Sequence, residues 1–371
     1  MADYGVLIIV ILAFVTAGVL SFLLTPLVKR LAYRVGAIDV PKDNRRMHKK
    51  PIPRLGGLAI FLGFLISILV FGDISRSMQS ILIGASIIVV LGIFDDIMAL
   101  GAKLKFVVQI AAACVPVFFG DLTIQNISNF NILSDELYIN LGFLAIPLTI
   151  VWIVGVTNAV NLIDGLDGLA VGVSSIACIT MLAVGLLAGE PPVAVTMAAL
   201  TGACIGFMPY NLNPAKIFMG DTGSTFLGFM LATVSIQGMF KLYAVISFVV
   251  PLLILGLPLF DTLFAITRRV LAGKSPMAPD RGHIHHRLVD MGFNQKQAVA
   301  ILYAISGTLG LAAVVLTSSG EMKAMVLVLA VIIAIAVGTK LFYGKLAGHS
   351  EEEAEKQNAG EETPDGGEET K

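Results

Sequence analysis

Residues 5–28 read GVLIIVILAFVTAGVLSFLLTPLV and contain no charged side chain. A helix needs about 20 mostly apolar residues to cross a bilayer, so this stretch by itself predicts a transmembrane helix. The apolar run is too long for the central part of a cleavable signal peptide, and no basic segment precedes it. We therefore expect it to be a retained membrane anchor.

Similar apolar runs recur along most of the 371 residues. The chain is 56% hydrophobic and only 14% charged, with a mean hydropathy of +0.87, whereas a soluble domain carries about 25% charged residues. Candidate spans lie at 5–28, 55–72, 77–94, 104–119, 138–156, 168–188, 192–210, 222–238, 242–264, 298–317 and 324–343. The sequence thus predicts an all-α, polytopic integral membrane protein with about 11 transmembrane helices.

The distribution of lysine and arginine predicts the orientation of these spans, because cytoplasmic loops are enriched in both residues. If the N-terminus is outside, the cytoplasmic loops are 29–54, 95–103, 157–167, 211–221 and 265–297. All basic residues except Arg76, Lys241 and Lys323 then belong to these loops, their immediate flanks or the C-terminal tail. We expect a multi-pass protein of the cell membrane, with a cytoplasmic C-terminus and any active site on the cytoplasmic face.

The two ends of the chain differ in composition. Residues 1–347 are predicted to form one membrane domain, and residues 348–371, rich in Glu and Gly, to form a disordered acidic tail. Cys114, Cys178 and Cys204 each lie in an apolar run without metal-ligand or disulfide spacing, so we expect them to pack as small apolar side chains.

The first two cytoplasmic loops carry charged clusters that allow two interpretations each. His48 and Arg54 lie in the segment HKKPIPRLGG, residues 48–57, which either binds anionic lipid headgroups or collects phosphate groups of a substrate. Asp95 and Asp96 end an apolar run, with Lys103 and Lys105 shortly after. These acids either form a solvated helix end paired with one of the lysines, or form a metal or proton site.

The third loop places a polar residue at every third position: Asn158, Asn161, Asp164 and Asp167. Residues three apart remain neighbours on a helix, and Gly165 indicates that the helix ends nearby. Since no lysine or arginine lies close in sequence, a polyvalent cation or a hydrogen-bonding ligand explains the acids better than a solvated turn.

The last two loops add further polar groups. Asn211 and Phe218 precede Asp221, which either caps the following helix or offers a hard oxygen ligand for Mg²⁺ with substrate phosphates. Phe218 alone is as well explained by the core. The segment RGHIHH, residues 281–286, contains Arg281, His283, His285 and His286. A zinc site would need further ligands, so binding of a diphosphate is favoured, with a merely basic loop as the alternative.

These clusters share one predicted membrane face, where unneeded acids would be costly. Carboxylates with Mg²⁺, arginine and histidine are typical of a phosphoryl-type transfer site. The charge pattern does not identify the sugar or the lipid.

The motifs in this order resemble the polyprenyl-phosphate N-acetylhexosamine-1-phosphate transferases, over about residues 20–345. The resemblance depends on Asp95-Asp96 with the two lysines, the run 158–168, Asn211 with Pro214-Ala215, the segment 218–221, and the histidine segment. The interrupted form His283-Ile284-His285-His286 is similar to the GlcNAc-1-phosphate branch, since the pentapeptide branch usually has three consecutive histidines.

The resemblance also implies roles for individual residues. It implies that Asp221 is the principal Mg²⁺ ligand, with Mn²⁺ as an alternative ion, and that Asn161 adds a ligand. Asp95 and Asp96 are implied to be the paired catalytic acids. The implied substrate-binding residues are His48, Arg54, Lys103, Asn158, Asp164, Asp167, Asn211, Phe218, Arg281, His283, His285 and His286.

The resemblance implies transfer of GlcNAc-1-phosphate from UDP-GlcNAc to undecaprenyl phosphate, as the first membrane step of a surface glycan such as teichoic acid or O-antigen. The partners would be the UDP-sugar, the polyprenyl phosphate and the membrane, without nucleic acid, and with a homodimer left open. The alternatives are the phospho-MurNAc-pentapeptide transferase of peptidoglycan synthesis and an ion-coupled transporter, whose polar groups would lie nearer the membrane midplane.

Overall fold

The computed structural model describes residues 4–41, 51–128, 138–239, 246–275 and 282–319. Helices dominate these ranges. They are α1 (Tyr4–Val35), α2 (Gly57–Phe71), α3 (Arg76–Met98), α4 (Ala102–Cys114), α5 (Ala145–Leu162), α6 (Leu169–Leu187), α7 (Pro191–Asn211), α8 (Gly220–Val234), α9 (Ile246–Ile254), α10 (Gly256–Leu271), α11 (Ile284–Asp290) and α12 (Gln295–Ser319). Short π-helical turns, Val115–Phe119 and Ser235–Met239, extend α4 and α8.

Among the described residues, seven helical stretches have the length and composition needed to cross a bilayer. They are 4–35, 76–98, 102–119, 142–162, 169–187, 191–211 and 295–318. Helix α2 is apolar but shorter. The predicted class, a largely helical multi-pass membrane protein, is confirmed at this level. The predicted eleventh span, 324–343, and the acidic tail lie outside the described residues.

Two details differ from the sequence prediction. The ninth predicted span, 242–264, contains two helices, α9 and α10, which meet at Leu255. Pro258 explains the break, because proline has no N–H to donate to the carbonyl of Ile254. The all-α prediction also missed two small antiparallel sheets. They pair β1 (Ile38–Asp39) with β2 (Ile52–Pro53) and β3 (Asn126–Ser128) with β4 (Tyr138–Asn140).

Helix α8 lies inside the bundle, where it contacts α2, α3 and α5. The residues Thr222–Val234 are all buried. Glycines allow the close approach: a Cβ at Gly57 would collide with the backbone of Gly223, and one at Gly92 with that of Thr222. The start of α8 is therefore held between the start of α2 and the end of α3, and this packing brings the polar loops together.

Candidate active site

The loops predicted to be cytoplasmic converge on one cavity of about 240 Å³ at the start of α8. It is lined by Asp39, Arg54, Asp96, Asp164, Gly165, Leu166, Asp167, Asn211, Phe218, Gly220, Asp221, His286 and Gln295. Eight of these residues were predicted from the sequence as site residues: Arg54, Asp96, Asp164, Asp167, Asn211, Phe218, Asp221 and His286. The cavity joins residues that are up to 256 positions apart in the chain, between Asp39 and Gln295.

Asp96 holds the first turn of α8. Its Oδ1 accepts a hydrogen bond from the backbone N–H of Asp221 over 3.0 Å, and its Oδ2 accepts from the backbone N–H and the hydroxyl of Thr222 over 3.0 and 2.6 Å. The amides of a helix's first turn have no partner within the helix. Buried Asp96 therefore supplies the cap from another helix, and it fixes the direction in which Asp221 leaves the backbone.

Lys105 bridges two of the acids. Its Nζ lies 3.0 Å from Oδ2 of Asp95 and 2.8 Å from Oδ2 of Asp221. Asp95 also accepts a hydrogen bond from the backbone N–H of Leu100 over 2.7 Å, which closes the end of α3. Lys103, the lysine predicted to bind substrate, is exposed on α4. The paired helix end is thus observed, with Lys105 as its cation.

The two asparagines of α5 have different surroundings. Asn161 donates to the hydroxyl of Ser224 over 2.8 Å, and Ser224 lies on α8 three positions after Asp221. Asn158, one turn earlier, donates to Oε1 of Gln109 over 2.7 Å and to the carbonyl of Val154 over 2.8 Å. Asn161 thus lies next to the predicted metal ligand, whereas Asn158 joins α5 to α4.

Asp164 lies in the turn between α5 and α6 and lines the cavity. Burial raises the pKa of its carboxyl to about 8, and the negative charges of Asp221, Asp96 and Asp167 add to this shift. Carboxylates that share a site repel one another, so one of them retains its proton. Asp164 is therefore a group whose charge a bound cation would stabilise.

Asp167 organises the loop before α8. Its Oδ2 accepts hydrogen bonds from Nδ2 of Asn213 and from the backbone N–H of Ala215, both over 3.0 Å. Asn213 also donates to Oε1 of Gln295 over 2.8 Å, so α12 contributes to the same network. Buried Asn211 donates to the carbonyl of Ile217 over 3.0 Å, and its Oδ1 is an unpartnered acceptor among the described residues.

Arg54 and Phe218 form one wall of the cavity through their backbones. The N–H of Phe218 donates to the carbonyl of Pro53 over 2.8 Å, and the N–H of Gly56 donates to the carbonyl of Phe218 over 2.9 Å. The guanidinium Nε of Arg54 donates to the carbonyl of Asp96 over 3.0 Å. A cation is thereby fixed beside the acids, at the end of the segment for which the sequence left open binding of lipid headgroups or of substrate phosphates.

The histidine segment meets the cavity through His286. His285 packs against Gly165, at a position where a Cβ would collide with the imidazole. Burial, together with the charges of His286 and His283, lowers the pKa of His285 to about 3. His285 is therefore a neutral imidazole at physiological pH, and its Nε2 has no hydrogen-bond partner among the described residues.

His283 lies away from the cavity wall, and its Nδ1 is 2.9 Å from Oδ2 of Asp261 on α10. Asp261 was not identified from the sequence, because a single acid in an apolar run has no motif around it. Lys105, Asp39, Asn213 and Gln295 were also missed as site residues. Predicted residues His48 and Arg281 lie outside the described part of the chain.

The residues at the start of α8 fit a hard divalent cation better than zinc. Mg²⁺ is commonly bound by one or two carboxylates together with substrate phosphates and water, and Asp221 beside Asn161 with Asp164 nearby offers oxygen ligands of this kind. Within the described ranges, no group of three or more His, Cys, Asp or Glu side chains is arranged so that it could hold a metal ion by itself. A zinc site at the histidine segment is thus unsupported there.

A second, apolar groove of about 880 Å³ runs along α3 between α2 and α4. It is lined by Leu65, Leu69, Ile74, Gln79, Leu82, Ile83, Ser86, Ile87, Val90, Leu91, Phe94, Met98, Leu100, Leu104 and Val108. From Gln79 to Met98 the helix rises by about 28 Å, close to the ~30 Å thickness of a bilayer's hydrocarbon core. Leu100, in the turn after α3, also lines the groove, and its backbone N–H donates to Asp95.

Comparison with known proteins identifies a family and several relatives of this chain. Residues 78–239 match the family model described as "Glycosyl transferase family 4". A Bacillus subtilis protein named "Probable undecaprenyl-phosphate N-acetylglucosaminyl 1-phosphate transferase" is 42% identical over 84% of this chain and 86% of its own length.

Two further relatives carry related names. The Mycolicibacterium smegmatis "Decaprenyl-phosphate N-acetylglucosaminephosphotransferase" is 35% identical over 87% of this chain and 86% of its own length. The Escherichia coli "Undecaprenyl-phosphate alpha-N-acetylglucosaminyl 1-phosphate transferase" is 30% identical over 74% of this chain and 75% of its own length. Each match covers most of this chain and most of the relative.

Proposed function

The chain belongs to glycosyl transferase family 4, and from that premise we propose that it transfers N-acetylglucosamine-1-phosphate from UDP-GlcNAc to undecaprenyl phosphate and releases UMP. Two relatives that share most of its length are named as undecaprenyl-phosphate N-acetylglucosaminyl 1-phosphate transferases, and a third is named for decaprenyl phosphate. The observation that carries the proposal is a chain of contacts between an apolar groove and a charged cavity. Leu100 lines the groove and donates to Asp95, and Lys105 contacts both Asp95 and Asp221, which lines the cavity. A polar nucleotide sugar and a lipid phosphate would need these two environments side by side.

The proposed reaction is a single in-line displacement. A phosphate oxygen of the lipid attacks the phosphorus that carries the sugar. The bond between this phosphorus and the oxygen bridging to the uridine phosphate breaks, and UMP leaves with that oxygen. A phosphate monoester has a second pKa near 6 and is largely dianionic at neutral pH, so the attack needs no dedicated base.

We assign different tasks to the two paired acids. Asp96 uses both carboxylate oxygens to hold Asp221 and Thr222, which makes it a positioning residue for the start of α8. Asp95 shares Lys105 with Asp221. We propose that the Lys105 ammonium contacts a phosphate oxygen when substrate is bound, because it is the cation between the groove and the acids.

Asp221, with Asn161 and Asp164 beside it, is the proposed Mg²⁺ site, and Mn²⁺ is the proposed substitute. When bound, a divalent cation neutralises negative charge on the transferring phosphate groups. Asp167, Asn211 and Phe218 line the same cavity and are proposed to contact the uridine end. His286 and Arg54 are proposed to face the diphosphate or the sugar.

The apolar groove along α3 is proposed to hold the prenyl chain of the acceptor. Its length matches the hydrocarbon core. Leu100 in its lining donates to Asp95, which Lys105 contacts, so a lipid phosphate beside Leu100 would lie within reach of these charged groups. A lipid that enters from the side of the bundle can therefore bring its headgroup to the acids without leaving the membrane.

We also propose that this end of the bundle faces the cytoplasm, because the loops that form the cavity, counted with the flanking Lys105, carry 18 of the 25 lysine and arginine residues of the sequence. The nucleotide sugar would then be a cytoplasmic substrate. The lipid-linked product would begin a surface glycan such as a teichoic acid or O-antigen.

A side-by-side donor assay tests the proposal against the pentapeptide-sugar transferase. Purified protein with undecaprenyl phosphate and Mg²⁺ is given either UDP-GlcNAc or the UDP-MurNAc-pentapeptide. We expect UMP release with UDP-GlcNAc and none with the UDP-MurNAc-pentapeptide. Release only with the pentapeptide donor would show that the chain is a pentapeptide-sugar transferase. Release with neither donor, from folded protein, would favour an ion-coupled transporter.

A further inference from the structure

Helix α10 holds the start of the histidine segment with two residues on one of its faces. Asp261 and Arg268 are seven positions apart, which is close to two full helical turns, so their side chains project from the same side. Asp261 is only 2% exposed. Nη1 of Arg268 donates to the carbonyl of Gly282 over 2.9 Å, and Asp261 contacts the next two residues.

The Asp261 carboxylate makes two hydrogen bonds with different consequences. Its Oδ2 lies 2.9 Å from Nδ1 of His283, so the two side chains are joined by a hydrogen bond that orients the imidazole. Its Oδ1 accepts from the backbone N–H of Ile284 over 2.9 Å. Ile284 is the first residue of α11, whose early amides have no partner within the helix. One carboxylate thus orients the first histidine and fixes where α11 begins.

The start of α11 determines where the following two histidines lie. His285 packs against Gly165, and His286 lines the cavity together with Asp164. The three imidazoles also pack on one another: the ring centres of His283 and His285 are 5.8 Å apart, and those of His285 and His286 are 4.2 Å apart. A displacement of His283 or of Ile284 would therefore also displace the imidazole of His286, which lines the cavity.

We propose that Asp261 is a positioning residue for the transfer reaction, which acts through His283 and the first turn of α11 to place His286 at the cavity. Asp261 touches neither the cavity nor the acids at the start of α8. Its part in catalysis rests on the proposed function, whereas its effect on α11 does not.

The first experiment measures backbone hydrogen exchange of peptides covering 283–290 by mass spectrometry, in detergent and without substrate. We expect Asp261→Ala to raise exchange there and to leave exchange in α3 and α8 unchanged. Asp261→Asn keeps one carbonyl oxygen for the Ile284 N–H, so its exchange should stay close to that of the unaltered protein. Asp290→Asn, which removes an exposed acid at the other end of α11, is the matched control. Unchanged exchange in Asp261→Ala would overturn the proposal.

The second experiment is a double-mutant cycle on UMP release with His286→Ala. Misplacing a catalytic group by about 1 Å can cost about 100-fold, so we expect Asp261→Ala to lower kcat by at least ~10-fold and Asp261→Asn to recover most of the loss. In the His286→Ala background the Asp261→Ala loss should fall below ~3-fold, because effects that pass through one residue are not additive. Losses that multiply in full would overturn the proposed route. If Asp261→Ala increases exchange but the unaltered protein shows no transferase activity, the proposed function is contradicted, whereas the role of Asp261 in fixing the start of α11 is supported.

Discussion

The Asp96 carboxylate accepts a hydrogen bond from the backbone N–H of Asp221 over 3.0 Å, so one acid of the site determines where another acid lies. The two residues are 125 positions apart and belong to different helices. Asp96 supplies the cap that the start of α8 lacks, and Asp221 projects from the turn that Asp96 fixes. A loss of Asp96 should consequently affect both stability and activity.

We expect Asp96→Ala to lower the free energy of unfolding by about 2 kcal/mol or more, because two backbone N–H groups and a hydroxyl lose their buried acceptor. Activity should fall at least ~100-fold through the misplaced Asp221. Thermal unfolding in detergent and UMP release measure the two effects. Thr222→Val removes only the hydroxyl donor and should cost about 1 kcal/mol. An Asp96→Ala protein as stable as the Thr222→Val protein would contradict the capping role.

The two lysines near the end of α3 should respond very differently to substitution. Lys105 contacts Asp95 and Asp221, whereas Lys103 is exposed. We expect Lys105→Met to lower kcat/KM for UMP release by at least ~100-fold, as for loss of a charge-stabilising group at a reacting centre. The matched variant Lys103→Met should stay within ~3-fold. Equal losses in both variants would show that overall charge, and not this contact, matters.

The raised pKa of Asp164 predicts that replacing this acid by asparagine increases stability and lowers activity. A carboxyl whose folded-state pKa is about 8, against an ordinary value near 3.9, binds more protons folded than unfolded. Its contribution to stability is therefore complete below pH 4 and is lost as the pH rises through 8. In buffer with EDTA, Asp164→Asn should raise the Tm over that of the unaltered protein, by more at pH 8 than at pH 5.

Activity with Mg²⁺ provides the second half of this test. Asp164→Asn should lower kcat by at least ~10-fold, since the same carboxylate lies beside the proposed cation site. A variant that is less stable at both pH values, or that is more stable and fully active, would refute the assignment of Asp164 as an acid kept for its charge.

Filling the apolar groove should weaken binding of the lipid alone. Val90 lies in the groove on α3 and is 52% exposed. We expect Val90→Trp to raise the KM for undecaprenyl phosphate by about 10-fold, as steric changes in apolar pockets commonly do, with an unchanged KM for UDP-GlcNAc. Val151→Trp, at a 66% exposed position on α5, is the control. The groove would be excluded as the acceptor site by equal effects of both substitutions.

Much of this arrangement could be predicted from the sequence, because bilayer thermodynamics makes apolar length and isolated acids informative. The apolar runs predicted most helices of the described chain, and the acids at 95, 96, 164, 167 and 221 were expected on one face before their contacts were known. The break at Leu255 escaped the prediction, because tolerance of Pro258 inside a span depends on its neighbours.

The contacts that pair distant residues could not be predicted from one sequence. From the sequence, Lys103 and Lys105 were equal candidates to pair with the acids. Only the packing of α4 against α3 shows that Lys105 is the lysine that contacts them. Asp261 gave no signal either, since its partners His283 and Ile284 lie more than 20 positions away. Asp96 carried the same composition cues as Asp95, and its distinct role follows from the close approach of Gly92 to the start of α8.

The most direct test of the central claim is the transfer itself. Purified protein is incubated with undecaprenyl phosphate, UDP-GlcNAc labelled in the sugar and Mg²⁺, and UMP and butanol-extractable label are measured together. We expect label in the lipid and UMP in equal amounts, with both lost on addition of EDTA and in the Asp221→Asn variant. Folded protein that leaves no label in the lipid with any UDP-N-acetylhexosamine would contradict it.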